Sequence, residues 1–365
     1  MQTSLNKTEL ALLLNQVPGL GDFLIRRILT YYESFDQFKK VSARHLEAID
    51  GIGKVRAADL TSFEYDREAI AEEFRFLDRI KGEIIPFWSD DYPSRLKNLD
   101  GMPLLLYWVG NKSALESDSI AVVGTRKPTQ YGITAADFFT RDLVKAGLTI
   151  VSGFARGIDT IAHQTTIKEG GTTIAVMGSG FKHIYPSENK TLIPKLIENG
   201  GILSEYSPFT LPDPGHFPDR NRIISGLSYG TLVVEAAESG GALITAAYAL
   251  EQNKEVFAVP GEVFQDRSKG TNRLILNGQA KLVLSAQDIL AELPGFSVNQ
   301  KEKISLPELS LFEEKIYNAL GGEPIHIDVL AEKCEMKTSE LLIHLLTLEF
   351  KALVRQIPGK YFMKY

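Results

Sequence analysis

Residues 119–136 read SIAVVGTRKPTQYGITAA. Ile120 to Val123 is short, apolar and rich in β-branched residues, the composition of a strand buried on both faces of a parallel sheet. Gly124-Thr125-Arg126 breaks the run, and a helical segment begins after Pro128 and Gly132. Strand, glycine turn and helix in that order make an anion site, because free N–H groups and the positive end of the helix dipole meet at the turn. Arg126 adds a fixed cation, so a phosphate-like ligand is expected at Gly124, Thr125 and Arg126.

Working outward, apolar strand candidates recur at 120–123, 148–151, 173–177, 202–204, 231–234, 256–259 and 281–284, with helical stretches between most of them. That rhythm predicts an α/β fold with a Rossmann-like, doubly wound, mostly parallel sheet, whose ligands sit beyond the carboxyl ends of the strands. The domain is expected to span 81–290. Its first part, 81–118, carries strand-like pieces at 83–88 and 104–109 that extend the sheet edge, and Trp88 and Trp108 are expected in the core.

Residues 1–80 read as a helical domain of helix-hairpin-helix or SAM-like type. Its loops Val17-Pro18-Gly19-Leu20-Gly21 and Ile49-Asp50-Gly51-Ile52-Gly53-Lys54 aim N–H groups at a DNA phosphate or simply permit tight interhelical turns. Asp22 would repel phosphate, Lys54 and Arg56 would attract it, and the excess of acids in the segment favours the structural role. A polar linker is expected at 291–306. A winged-helix domain is expected at 307–365, with helices near 312–320, 327–333 and from Thr338, then strands near 353–356 and 360–363. Its third helix is mostly apolar and poorly suited to reading DNA bases.

The composition of the 365-residue chain is that of a soluble globular protein of two or three domains. No apolar run approaches the ~20 residues of a membrane span and no signal sequence is visible, so no membrane partner and a cytoplasmic location are expected. The lone Cys334 excludes disulfide frameworks and cysteine-based zinc sites. A net charge of −6 weighs mildly against nucleic acid, although a few arginines around one pocket suffice to hold a single strand.

The remaining unusual residues cluster at the predicted strand ends. Ser152-Gly153-Phe154-Ala155-Arg156-Gly157-Ile158-Asp159 offers a hydroxyl at Ser152, close backbone approach at Gly153, a cation at Arg156 and a helix cap at Asp159. His163 has no second histidine to complete a metal set, so a structural role is expected. Gly178-Ser179-Gly180-Phe181-Lys182-His183 opens like a dinucleotide fingerprint but ends on His183 instead of a small residue, and no Walker A spacing exists. No cofactor and no metal are expected. Phe217-Pro218-Asp219-Arg220-Asn221-Arg222 combines guanidinium forks, an amide and an aromatic ring, a set that fits phosphates and bases. The alternative is a capped helix start whose arginines pair with Glu205 or Glu235. Glu235 is expected to orient the arginines, and Ser239-Gly240 opens another helix with bare N–H groups.

In order along the chain, GTR at 124–126, SGFARGID at 152–159, GSG at 178–180 with Tyr185-Pro186, and FPDRNRIIS at 217–225 resemble the DNA-processing protein A (DprA, or Smf) family. Ser239-Gly240 through Thr245, Ala258-Val259-Pro260-Gly261 and Gly270-Thr271-Asn272 complete the likeness, which covers the whole chain and is most specific in 119–290. The resemblance implies a single-stranded-DNA-binding protein of natural transformation and recombination, without catalysis. Such a protein protects incoming DNA, forms a homodimer and promotes loading of the RecA recombinase. Phosphate or DNA contacts are then expected from Gly124, Thr125, Arg126, Ser152, Gly153, Arg156, Gly178, Gly180, Lys182, Phe217, Arg220, Asn221, Arg222, Ser239 and Gly240. Asp219 departs from the neutral or basic residue that would help the groove, and is expected to lower affinity without changing the fold.

Two other readings compete. A phosphoribohydrolase-like Rossmann enzyme would use Arg126 and Glu235 on a nucleoside monophosphate, but the PGGxGTxxE stretch of such enzymes is missing around Glu238 to Leu243. A pure interaction scaffold explains the terminal helical domains and leaves the strand-end glycines without a purpose.

Overall fold

The computed structural model describes residues 2–296, 309–321, 324–351 and 353–364. Of the linker expected at 291–306, the part from 297 onward lies outside the described residues. The chain divides into two compact units, Met1–Ser297 and Val298–Tyr365.

The first unit begins with six helices, α1 (Gln2–Leu14), α2 (Asp22–Tyr31), α3 (Phe35–Phe38), α4 (Ala43–Leu46), α5 (Lys54–Ser62) and α6 (Arg67–Ile80). Among the described residues, nine strands then build one sheet. They are β1 (Glu83–Pro86), β2 (Leu105–Gly110), β3 (Ser119–Val123), β4 (Thr149–Ser152), β5 (Thr173–Met177), β6 (Gly201–Ser204), β7 (Gly230–Val233), β8 (Glu255–Ala258) and β9 (Lys281–Leu282). Helices α7 (Gln130–Lys145), α8 (Ile158–Lys168), α9 (Ile193–Asn199), α10 (His216–Leu227), α11 (Gly241–Glu251), α12 (Lys269–Leu276) and α13 (Ala286–Leu290) complete the unit.

The sheet order is β1-β2-β6-β5-β4-β3-β7-β8-β9. From β6 to β9 every neighbouring pair is parallel, and β2 and β1 extend the sheet at one edge, as expected from the sequence, with an antiparallel pairing that the sequence did not indicate. The chain winds from β3 through β4 and β5 to β6 on one side, then crosses back to place β7 on the other side of β3. The crevice for a ligand therefore opens beyond the ends of β3 and β7, where the winding reverses.

Strand β3 shows why this sequence makes a central strand. All five of its residues are buried. Ile120 and Val122 pack with Ala136 and Phe139 of α7 and Ala162 of α8. Ala121 and Val123 face the other way, onto Ile223 and Ile224 of α10 and Ala246 of α11. Period-2 alternation with both faces apolar leaves no polar side, which only a two-sided helical cover can satisfy.

The helical segment shares a core with the antiparallel edge. Leu10 and Leu13 of α1 belong to one cluster with Tyr107 and Val109 of β2 and Ile202 of β6. Polar contacts fix the docking: Asp22 accepts the Leu104 N–H at 3.0 Å, and Arg26 donates to the Met102 carbonyl. The buried Glu73 accepts from the Tyr107 hydroxyl at 2.9 Å and from Ser207. Asp22 thus binds the sheet domain, where the sequence alone suggested a residue that repels phosphate. Both tryptophans sit in apolar clusters, Trp108 fully buried and Trp88 half-buried.

The second unit contains α14 (Leu311–Ala319), β10 (Ile325–His326), α15 (Ile327–Cys334), α16 (Thr338–Phe350), β11 (Val354–Ile357) and β12 (Tyr361–Lys364). Ile316, Leu330, Leu341, Leu345 and Phe362 form its core. The three helices and the hairpin follow the winged-helix expectation. The short β10, which pairs with β12, was not anticipated because two residues carry no periodicity. Among the described residues no helix is long and apolar enough to cross a membrane.

Candidate functional site

A cleft of about 540 Å³ opens at the reversal point between β3 and β7. Its walls are the turn 124–127, Ala155 and Asp159 beyond β4, Phe217, Arg220 and Asn221 of α10, Gly240 to Thr245 at the start of α11, and Arg267.

Local chemistry explains how the turn is held open. Thr125 donates its N–H to the Glu235 carbonyl at 2.7 Å, and the Thr125 carbonyl accepts from Ile158 N at 3.2 Å. Gly157, at φ 78°, is required twice over: its backbone is left-handed, and a side chain would collide with the Thr125 carbonyl. Thr129 caps α7 by accepting the Gly132 N–H at 3.1 Å. With the backbone thus anchored, Arg126 and Lys127 project outward and are exposed. The Arg126 guanidinium lies over the Phe217 ring at 5.7 Å. At the opposite wall, α11 begins at Gly240 without a side-chain cap, and Asn221 ties α10 to this start by donating to the Gly241 carbonyl at 3.4 Å. Uncapped N–H groups and the α11 dipole favour an anion there.

Charge is distributed unevenly around the cleft. Arg126, Lys127 and Arg267 have no carboxylate partner among the described residues. Arg220 belongs to the floor instead. It is only 4% exposed and donates to the Gly153 carbonyl at 2.5 Å and to the Val176 carbonyl. Asp159 lies beside it, accepting from Gly153 N at 3.1 Å and Ala155 N at 3.3 Å. Gly153 is wedged between the two: a Cβ would sit 2.6 Å from Arg220 Nη2 and 2.7 Å from Asp159 Oδ2. Burial lifts the Asp159 carboxyl to about 6 against the pull of Arg220, and burial lowers Arg220 to about 10 despite Asp159. Both remain largely ionised at neutral pH, each in the field of the other.

The structure brings Gly124, Thr125, Arg126, Phe217, Arg220, Asn221 and Gly240 to one cleft and sends other expected residues elsewhere. Ser152 is fully buried and donates its hydroxyl to the Val122 carbonyl, while the Gly153 N–H is taken by Asp159, so neither is free for a phosphate. Arg222, two residues beyond Arg220 on the same helix, points away and forms a two-pronged pair with Glu205, Nη1 to Oε1 at 3.1 Å. Glu235 does not orient the arginines. Its carboxylate accepts from Thr129 N at 2.9 Å and Thr129 Oγ1 at 2.7 Å and so anchors the start of α7. Asp159 holds the loop before α8 in place of capping that helix. His163 is structural, buried against Thr173 at 2.7 Å, and burial depresses it to about 3.

Three expected residues are explained by packing near the cleft. Gly178 provides the seat for Phe217, since a Cβ there would come within 2.9 Å of the ring. Gly180 is buried against the loop at Ser207 and Pro208, and Lys182 lies over Phe209 at 4.6 Å, outside the cleft lining. Ser239 is exposed one residue ahead of the α11 cap. Arg156 stands on the same rim as Phe217 through Tyr185: the Tyr185 and Phe217 rings are 5.6 Å apart, and Arg156 lies 5.6 Å over Tyr185 while pairing with Glu188.

Sequence reasoning missed Lys127, Arg267 and Tyr185. Lys127 was legible as the neighbour of Arg126 in the same turn. Arg267 comes from a short helical turn at Asp266–Ser268 with no local motif, and only the sheet order brings it to the cleft.

Comparison with known proteins agrees with this architecture. Residues 83–294 match the family model of DNA recombination-mediator protein A, and 300–360 match the DprA winged helix domain. The chain is similar to the Bacillus subtilis DNA processing protein DprA, 46% identical over 60% of this chain and 73% of that one. It is 37% identical to Escherichia coli protein Smf over 81% of both chains. The solved structure of Streptococcus pneumoniae DprA superposes with a TM-score of 0.67 at 35% identity, covering 80% of this chain and 98% of that one. DNA processing protein A from Helicobacter pylori, described for its single-stranded DNA binding mode, superposes with a TM-score of 0.53 at 31% identity, covering 57% of this chain and 94% of that one. The chain, in sequence and in fold, belongs to the DNA recombination-mediator protein A (DprA) family.

Proposed function

We propose that the cleft binds single-stranded DNA, and that the protein is a non-enzymatic mediator of recombination that acts on incoming strands in the cytoplasm. The observation that carries this reading is the set of unpaired cations Arg126, Lys127 and Arg267 around an uncapped helix start, with Arg126 resting on Phe217. Cations without carboxylates suit phosphates, and a ring at the rim suits an unpaired base of any sequence. The H. pylori relative's single-strand binding mode supports the same assignment. Chemistry is not assigned to the cleft, because the acid a hydrolase reading needs beside Arg126, Glu235, is engaged by Thr129.

Within this reading the sheet domain, 81–290, is the DNA-binding part, 1–80 and 307–365 are accessory domains, and 291–306 links the last to the sheet. Gly124, Thr125, Asn221 and Gly240 contact phosphates alongside the cations. Membership of the family supports protection of the strand, loading of RecA and a role in natural transformation as the tasks this binding serves. A homodimer is supported by the exposed Leu276, Leu282 and Leu284 around the short edge strand β9.

The test is a salt titration with oligo-dT and with duplex DNA. Arg126→Ala is expected to leave the melting temperature unchanged and to weaken oligo-dT binding about tenfold or more, with the log–log salt slope reduced by about 0.7. Equal affinity for single strand and duplex, or an unchanged slope in the variant, would overturn the reading.

A further inference from the structure

The expected DNA contact Lys182 lies outside the cleft, and its surroundings form a second arrangement of cations and rings. Lys182 stands 4.6 Å over Phe209. Phe209 in turn contacts Phe76 of α6 at 5.4 Å, and Arg79 lies 5.6 Å over Phe76. Lys182 and Arg79 are exposed, and neither has a carboxylate partner among the described residues. Of the acids on α6, Glu73 is buried and bonded to Tyr107 and Ser207, so it does not face outward, while Glu72 and Asp78 are exposed beside Phe76 and Arg79 without an ion pair to Arg79 or Lys182 among the described residues.

This row is built on the same loops as the cleft rim. Gly178 seats Phe217, and two residues later Gly180 N donates to the Thr210 carbonyl at 2.9 Å, with Lys182 N donating to the Pro208 carbonyl at 2.9 Å. Between the two rows, His216, the neighbour of Phe217, stacks on Tyr206 at 4.1 Å and 21°. All these loops leave the carboxyl ends of β5 and β6, the edge of the sheet on which the cleft opens. From β3 to β6 is three strand spacings, roughly 14 Å at about 4.8 Å each.

We infer that a single strand held in the cleft continues along this edge, so that Lys182, Phe209, Phe76 and Arg79 form a second contact that reaches the amino-terminal helical segment. The inference rests on the proposed function and extends it: the helical segment meets DNA through α6, away from its two glycine loops. Alternating cation and ring fits the backbone and bases of an unpaired strand, because phosphates take the cations while bases stack on the rings without sequence preference. A duplex keeps its bases stacked internally and has no use for the rings.

The experiment compares oligo-dT of about 6 and about 20 nucleotides, below and above most of the roughly 4–16 nucleotides that a single-strand-binding fold engages. The full chain carrying Arg79→Ala and Lys182→Ala is titrated over a range of salt beside Arg126→Ala. Both positions of the double variant are exposed, so the fold is expected to persist. The expected result is unchanged binding of the short oligomer and a loss of about 1.4 in salt slope on the long one, about 0.7 for each cation. A long oligomer carrying 5-iodouracil is expected to photocross-link to Phe209 or Phe76. The track is overturned if the double variant binds the long oligomer with the parent's slope, or if it loses the short one equally. If Arg126→Ala leaves both oligomers unaffected, the cleft reading itself fails. If Arg126→Ala loses both and the double variant loses neither, only the track fails.

Discussion

Arg126 and Arg222 invite comparison because the sequence presents both as phosphate forks, and the fold uses them oppositely. Arg126 stands on a glycine turn anchored through both backbone groups of Thr125, and its guanidinium has only a ring beneath it. Arg222 stands on a helix face that meets β6, where Glu205 takes both prongs of its fork in a largely buried pair. Between them in kind is Arg220, which shares the helix of Arg222 but is turned by about 200° around it. It fills the floor of the cleft with bonds to two carbonyls. The difference teaches that an arginine-rich motif at a strand end contains both ligand and scaffold. What separates them is whether the fold supplies a partner.

The largest effect is expected at Arg220. Removing it leaves Asp159 buried without its cation and two carbonyls without a donor. Arg220→Ala should therefore destabilise the first unit by about 3–5 kcal/mol, read as a lower denaturant midpoint. A normal midpoint combined with lost DNA binding would make Arg220 a ligand residue like Arg126 and erase the contrast.

The same floor sets a pH response in which two groups oppose each other. Asp159 titrates higher in the folded protein, about 6 against 3.8, so its contribution is present below 3.8 and is lost as pH rises through about 6. His163 titrates lower, about 3 against 6.5, so its contribution is present above 6.5 and is lost as pH falls through about 3. The wider histidine interval dominates, and stability should fall on acidification. In His163→Leu the histidine part is gone, and urea midpoints between pH 6.5 and 4 are expected to flatten or rise with acid. A fall as steep as the parent's would mean that His163 does not control the acid limb.

Arg222 should behave as structure in every respect that Arg126 does not. Arg222→Ala strands the largely buried Glu205, which burial already pushes up, and is expected to cost about 1–3 kcal/mol of stability. The salt slope for oligo-dT is expected to stay at the parent value, the reverse of Arg126→Ala.

How much of this was legible beforehand divides along the same line. Strand β3, its glycine turn and the order of the following strands could be read because local periodicity and turn chemistry are written in consecutive residues. Phe217 and the arginines beside it could be read from their chemistry, and the likeness to a family pointed to the same loop. The sequence did not reveal the partners of Ser152, the Val122 carbonyl, and of Glu235, Thr129, and it offered Glu205 for Arg222 only as the alternative to a phosphate. Each partner comes from a distant strand or turn, and only the completed sheet brings it near. Arg267 entered the cleft for the same reason, from a segment with no signal of its own.

Arg156 is the intermediate case and gives the smallest but most discriminating effect. Like Arg222 it has a carboxylate partner, Glu188, but both side chains are half exposed, and Arg156 lies over Tyr185 on the rim that carries Phe217. An exposed pair of this kind is held weakly and can be exchanged for a phosphate. Glu188→Gln would release the cation without removing it. Oligo-dT binding should then tighten about two- to fivefold, the range set by the modest strength of surface pairs, and the salt slope should steepen by about 0.7. Unchanged affinity and slope would place Arg156 with Arg222 as scaffold. A tighter, steeper titration would place it with Arg126, and would show that exposure of the pair, not its presence in the apo protein, decides which arginines reach DNA.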